Sequence, residues 1–452
     1  MWMSEWPRPN HTLFLVGVWW SLAGCGQGVA SLSAQQAIPT PVPSAMSEIP
    51  FPPLLLAPPP GFYEQWWDTR HSVPSERNAS AVWAQAIAAY QDNPDARESS
   101  VPYHAAWDAA THTQLATWVA RNTAALRLAE EAAALPDCRF ERRYTFDSRR
   151  TDDHPLWLPA IPRLAECMLA RGCLRILEGN VAAAANDAAI LLAIARQFEQ
   201  QRDVFFQDPS LRIRLMSYGL LACMMDAGAE MEAGADINWA SVLEAIQAVD
   251  APVQSPRELV PQMTVELYNL VARYARDTDG DGRLDQIALS ESHPDPLNPP
   301  RKLPELELEI RAVMGAWHEL YALDHASFDR RVPSAVALTA RPGSLTKAAC
   351  APALLEGLYR WAKCSEYARN WCRVMLHIHV YHERNGHWPR TLNDALGDQM
   401  SFAVDRYGNA LHYELRQDRP HLCSHAATDL EELYMQSPWL PPACGPRPTP
   451  CE

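Results

Sequence analysis

The chain has 452 residues, 48% hydrophobic and 21% charged, with a formal net charge of −15 at pH 7. That length and balance allow a sizeable core and two or three domains. The acidic surplus, with no basic run, excludes nucleic acid as a partner, since that binding needs Lys and Arg to neutralise phosphates; it equally excludes a second attachment through anionic lipid headgroups.

In chain order, Thr12 to Trp20 is apolar but too short to span a bilayer, which takes about 20 such residues. Small residues follow it, as in a secretory signal peptide over residues 1–24. The run Leu22-Ala23-Gly24-Cys25 resembles a bacterial lipobox, which implies lipid on the Cys25 sulfur and cleavage just before it. Ala23 and Gly24 let an extended backbone enter a protease cleft, and the thiol is the strong nucleophile there. The alternative is an uncleaved, partly apolar N-terminus of a cytoplasmic protein. Gly26, not Asp, follows the cysteine; by resemblance to the sorting rule of double-membraned bacteria this implies the outer membrane. The lipobox reading places the chain in the cell envelope, lipid-anchored on the periplasmic or outer-membrane face. One acyl chain holds only marginally, so the several chains of a lipoprotein N-terminus are needed for a firm anchor. No later segment has 18 uninterrupted apolar residues, so no transmembrane helix is predicted.

Residues 25–61 read as a tether. Repeated proline, from Pro39 to Pro60, gives extended stiffness and denies helix hydrogen bonds; Leu54-Leu55-Leu56 is apolar enough to dock on the folded part. A helical domain over 62–346 follows. Asn78 to Gln91 reads as a capped amphipathic helix, and Thr111 to Leu135 as an Ala- and Leu-rich helical stretch. Ile161 to Gln200 reads as a helical hairpin, broken at Glu178-Gly179-Asn180, with Gly179 in the left-handed C-cap conformation. Further helices are predicted at Leu211–Ala229, Trp239–Val249, Pro256–Arg276, Glu305–Leu323 and Ala348–His382. The proline-rich Glu291 to Pro304 is expected to be a loop. Residues 347–436 combine the long last helix with a small α/β segment: Asn385-Gly386 and Tyr407-Gly408-Asn409 mark turns, and Ala410 to Arg416 a strand. The tail, 437–452, is irregular and holds proline and cysteine. The fold class is therefore mainly α, an irregular helical array of antiparallel hairpins with a small α/β appendage near the C-terminus.

Once Cys25 carries lipid, ten of the eleven cysteines remain. An even remainder suits an oxidising compartment, and at least two disulfides are expected. Cys423, Cys444 and Cys451 lie in loop-like sequence and are the better candidates. Cys138, Cys167, Cys173, Cys223, Cys350, Cys364 and Cys372 lie in or beside helices, where a buried free thiol is the alternative.

The strongest candidate site is the acidic loop 277–288, opened by Asp277-Thr278-Asp279-Gly280-Asp281-Gly282-Arg283-Leu284-Asp285. Alternate carboxylates at Asp277, Asp279 and Asp281 converge on one hard cation, Gly282 permits the sharp turn, and Arg283 offers its carbonyl. Asp285 takes the ninth position. Leu284 is the apolar residue that packs such a loop on a core. The twelfth position is Ala288, so the bidentate carboxylate is missing, and Glu291 comes three residues late. The pattern fits a weak, structural Ca²⁺ site; the alternative is a solvated acidic turn.

Other constellations carry less. His377, His379, His382, Glu383 and His387 cluster, yet His382-Glu383 to His387 is one residue too long for H-E-x-x-H and Gly386 breaks the helix between them. Ser344-Leu345-Thr346-Lys347 has the S-x-x-K spacing of penicillin-recognising enzymes but lacks the K-T-G and S-D-N partners; Ser344 reads better as a helix cap. Trp66-Trp67 would stack on sugars if exposed, or pack the tether on the domain.

Several stretches together resemble a family of secreted and lipoprotein-type proteins abundant in planctomycete-like bacteria. They are Asn78-Ala79-Ser80-Ala81-Val82-Trp83, Ala124-Ala125-Leu126 through Cys138-Arg139-Phe140, Leu177-Glu178-Gly179-Asn180, Asn385-Gly386-His387-Trp388-Pro389-Arg390-Thr391-Leu392, and Asp405 to Tyr413. That resemblance implies architecture and location. The C-terminal piece is also similar to the end of a type II secretion pseudopilin, with its long helix, N-G-x-x-P and G-N-x-x-x-Y. The expected function is a non-catalytic scaffold or binding module presenting helical surfaces to another envelope protein or polymer. The competing expectation is an envelope hydrolase whose carboxylates or histidines are brought together only by the fold.

Overall fold

A computed structural model describes residues 51–56, 58–59, 62–70, 72–92, 109–140, 160–201, 204–230, 237–287, 295–339, 352–405, 408–416 and 418–423. It divides into two compact units that interleave along the chain: Met1–His71, Arg142–His154 and Ser255–Arg360 form the first, and Ser72–Glu141, Pro155–Gln254 and Trp361–Glu452 the second. Both are dominated by helix, with small antiparallel sheets, so the mainly α class with a C-terminal α/β appendage holds.

The second unit is built on a hairpin. Helices α1 (Phe62–Arg70), α2 (Ser80–Ala89), α3 (Ala109–Arg121) and α4 (Thr123–Ala133) precede α5 (Ala160–Leu177) and α6 (Val181–Glu199) in the chain. The expected hairpin is α5–α6: Gly179 takes φ 76°, and Asn180 caps α6 by accepting from Ala183 N at 3.2 Å. The helical stretch read over Thr111 to Leu135 is two helices, because Asn122 turns the chain, its side-chain amide accepting from Gln91 N and donating to Gln91 O. By length and composition α6 would cross a membrane, but 67% of its apolar window is buried inside the protein. It packs instead on α5, on α7 (Val204–Glu230) and on α8 (Trp239–Val249). Helices α5 and α7 approach closely at Gly172, where an added Cβ would sit 2.5 Å from Leu220 Cδ2.

Polar side chains tie this unit together. The Gln197 amide donates to Ala132 O and Leu135 O at 2.7 Å each and accepts from Trp83 Nε1 at 2.7 Å. Gln200 and Gln201 receive the backbone N–H groups of Cys138 and Phe140, and Asn78 bonds both backbone groups of Arg139. The segments Asn78–Trp83 and Cys138–Phe140, far apart in sequence, are thereby pinned to the end of α6. The buried amides of Gln197 and Gln201 are thus satisfied on both their oxygen and their nitrogen, as low-dielectric surroundings demand.

The first unit starts from the tether's end. Leu54 is 4% exposed, and Tyr63 OH accepts from Leu55 N at 2.9 Å while donating to Pro53 O at 3.2 Å, so the apolar end of the proline-rich segment is docked. Phe51 meets the Tyr268 ring and lies beneath the Arg311 guanidinium. Helix α9 (Val260–Tyr274) runs into β1 (Ala275–Arg276), which pairs with β2 (Leu284–Ile287); β2 pairs with β3 (Asp295–Arg301), and α10 (Leu303–Leu320) and α11 (His325–Thr339) follow. Three readings change here. The expected loop Glu291 to Pro304 holds the strand β3, whose prolines are tolerated because it is a sheet edge needing N–H donors on one side only. Helix α11, unread in the sequence, carries Pro333. Helix α1 stands where only the start of a domain was read, with Trp66 half-buried on it.

Helix α12 (Pro352–Asn385) ends at Gly386, φ 70°, as the Asn-Gly signal predicted. The appendage beyond it comprises α13 (Leu392–Leu396), capped reciprocally by Thr391 and Asp394, and the hairpin of β4 (His412–Arg416) and β5 (Arg419–Cys423). Tyr413 OH donates to Pro389 O at 2.8 Å, closing it on the helix end.

Candidate metal site

The acidic loop is the connection between β1 and β2. Ala275 and Leu284, 6% and 3% exposed, root the hairpin in the core, which is the packing role read for Leu284. Between them the backbone must reverse tightly, and Gly280 and Gly282 do so at φ 79° and 82°, where a side chain would be strained.

Every aspartate of the turn is held by loop N–H groups. Asp277 Oδ1 accepts from Gly280 N at 2.7 Å and its Oδ2 from Gly282 N at 2.9 Å. Asp279 Oδ1 accepts from Asp281 N at 3.1 Å, and Asp281 Oδ1 from Arg283 N at 2.8 Å. Desolvation pushes the Asp277 pKa up, but the Gly282 and Gly280 N–H groups outweigh it and hold the carboxyl below the usual range. These hydrogen bonds therefore persist above that range and are lost as pH falls through the lowered value.

The carboxylates of Asp277, Asp279 and Asp281 are exposed, and one oxygen of each lies within 4.8 Å of the others. Ligands of a single Ca²⁺ at its usual distances lie at most about 5 Å apart. The donor set is hard oxygen and net negative, and each bonded oxygen keeps a second lone pair. The three residues thus fit a calcium ion, which would neutralise their repulsion and lock the turn. Asp285 is placed differently from the reading: its carboxylate crosses the loop to Thr278, accepting from the backbone N at 3.2 Å and from the hydroxyl. It braces the two strands and stands outside the converging trio. Arg283 contributes its N–H to Asp281; Ala288 and Glu291 lie outside the described residues.

The histidine cluster is an aromatic packing unit. His379 is 4% exposed, with the Trp239 ring 4.4 Å away and the Trp388 ring 5.3 Å away, and His382 stacks on Trp388 at 3.9 Å. Burial, with His382 adding repulsion, pushes the His379 pKa down to about 3. A neutral core imidazole results. Among the described residues the only metal-sized group of carboxylate, His and Cys ligands is the aspartate trio.

Cys138, Cys167, Cys173 and Cys372 are free thiols, the alternative given for helical cysteines. Cys25, Ser344, Lys347, Cys350, Cys444 and Cys451 lie outside the described residues.

One carboxyl the sequence gave no reason to select is Glu166. It is 2% exposed on α5 and paired with Arg163 at 2.9 Å, and burial pushes its pKa up to about 7 against the pull of that arginine. A lone Glu in an apolar helix face was its only signal. Comparison with protein-family models, with curated proteins and with solved structures returned no match for this chain.

Proposed function

We propose that this protein is a lipid-anchored scaffold of the cell envelope, held on Cys25, whose β1–β2 hairpin binds Ca²⁺ as a structural clasp. The convergence of Asp277, Asp279 and Asp281 within 4.8 Å carries the calcium half of this reading. The twelfth-position carboxylate is missing from the motif, so affinity falls in the range of extracellular modules, about 10⁻⁴–10⁻³ M. Such a site is occupied outside the cytoplasm and empty within it. The helical units would then present surfaces to another envelope protein or polymer, with the proline-rich tether setting their distance from the membrane.

The scaffold reading is preferred over a hydrolase because the buried carboxylates of the helical core are consumed by arginines. Glu166, the group best tuned for acid–base work, is closed from solvent and already paired. Intact mass of the protein from its native host tests the anchor: a diacylglyceryl-cysteine N-terminus at residue 25 supports it, and a retained Met1 in the soluble fraction refutes it. Calorimetric titration with Ca²⁺ tests the clasp. Wild type should bind one ion and Asp279→Asn/Asp281→Asn none; equal heats for both would remove calcium from the proposal.

A further inference from the structure

Arg373 breaks a pattern. In the second unit Arg171 and Arg175 face Asp187, Arg214 faces Glu199, and Arg369 faces Asp250, all at ion-pair distance. Arg373, half-buried one turn beyond Arg369 on α12, has no carboxylate partner among the described residues, in a chain with a net charge of −15. Asp250 is within electrostatic range, but its Oδ2 accepts from Arg369 and its Oδ1 from Tyr218. Both Arg373 and His377 turn on the same ring: the guanidinium lies 4.3 Å from the Phe402 centroid and the His377 ring 5.8 Å from it. Arg373 Nε and His377 Nε2 are buried with no hydrogen-bond partner among the described residues. Burial and the neighbouring arginines lower the pKa of both groups, Arg369 acting on Arg373, and Arg373 with Arg384 on His377.

Unpaired positive charge at a half-buried position is costly unless an anion meets it. A guanidinium set over an aromatic ring still has its two terminal Nη groups to offer, and that pair matches a carboxylate in a two-pronged bond. Arg373, His377 and Phe402 are each half-buried, so a ligand would meet the accessible part of these side chains and not the buried Nε and Nε2 atoms. We infer that Arg373, His377 and Phe402 form a binding site for a carboxylate group, with Arg373 gripping the oxygens, His377 as the second polar contact and Phe402 as the apolar floor. This does not depend on the calcium reading. A free organic acid and an acidic side chain on a peptide or polymer share this chemistry.

The test uses the full chain with isotopically labelled histidine, titrated with sodium acetate at constant ionic strength against chloride. One imidazole signal, identified by its loss in His377→Gln, should shift saturably with acetate and stay still with chloride. Arg373→Gln should abolish the shift, and Arg373→Lys, which keeps charge but loses the fork, should weaken binding about tenfold. Arg384→Gln should still bind. A poly-glutamate peptide binding far more tightly than acetate assigns the carboxylate to a polymer; similar affinity per carboxylate assigns it to a free acid. The inference is overturned if neither probe gives a saturable shift, if inorganic phosphate binds and carboxylates do not, or if Arg373→Lys binds as tightly as wild type. The Lys variant decides the matter even if Arg373→Gln fails to fold.

Discussion

In the core of the second unit, Glu199 accepts two bonds from Arg214, at 2.6 and 2.8 Å, with both side chains buried. In the β1–β2 hairpin of the first unit, three carboxylates crowd within 4.8 Å of one another in the open, steadied by loop N–H groups. The same functional group is handled in opposite ways, and the reason is solvent. A buried carboxylate without a counter-charge is prohibitively expensive, so the fold supplies an arginine. At the surface, water screens repulsion well enough for charges to cluster, and the counter-charge can come from outside the protein.

The largest test of this contrast is Arg214→Met, which strands Glu199 in the core. Urea unfolding should register a loss of about 3–5 kcal/mol, and adding Glu199→Met should restore most of it. A loss below about 1 kcal/mol would mean that Glu199 escapes to water and the core is looser than described.

The next effect concerns pH. His379, with its pKa near 3 when folded, makes stability fall as pH drops below about 6.5, because only the unfolded chain gains the proton. Glu166, near 7 when folded against about 4.3 in a free chain, acts in the other sense, with stability falling as pH rises between those values. The two oppose each other through mildly acid pH. Glu166→Gln should unmask the histidine slope, up to about 1.4 kcal/mol per pH unit, in unfolding measured from pH 4.5 to 6.5. An unchanged profile would show that Glu166 is ionised throughout.

The hairpin responds more gently. Calcium at about ten times its Kd should add about 1.4 kcal/mol to stability, read as a rise in the thermal midpoint that Asp279→Asn/Asp281→Asn removes. In chelator, that same double substitution should shift stability by less than about 0.5 kcal/mol, since exposed groups away from packing contribute little. A large loss without calcium would recast the aspartates as structural in their own right, and the contrast with the core would blur.

Periodic apolar spacing made α5, α6 and α8 legible, and the Gly179 and Asn385-Gly386 turns fell where left-handed geometry was needed. The acidic turn was equally legible, since three of its four aspartates converge as their alternation implies. Asp285 was not, because its choice of Thr278 depends on strand register. Proline misled at β3: composition reads as loop, and only pairing with β2 makes an edge strand of it. The histidines were ambiguous in the same way, their spacing leaving open what Trp239 and Trp388 would fill.

By itself the sequence determined the helical class, the helix ends at Gly179 and Gly386 and the local acidic turn, all of which arise from interactions over a few residues. Tertiary structure alone decided which polar and charged groups meet: Gln197 with Trp83, Arg214 with Glu199, and Arg373 with Phe402 but no carboxylate among the described residues. Those outcomes depend on burial and on partners far away in the chain, and neither is written in the spacing of neighbours.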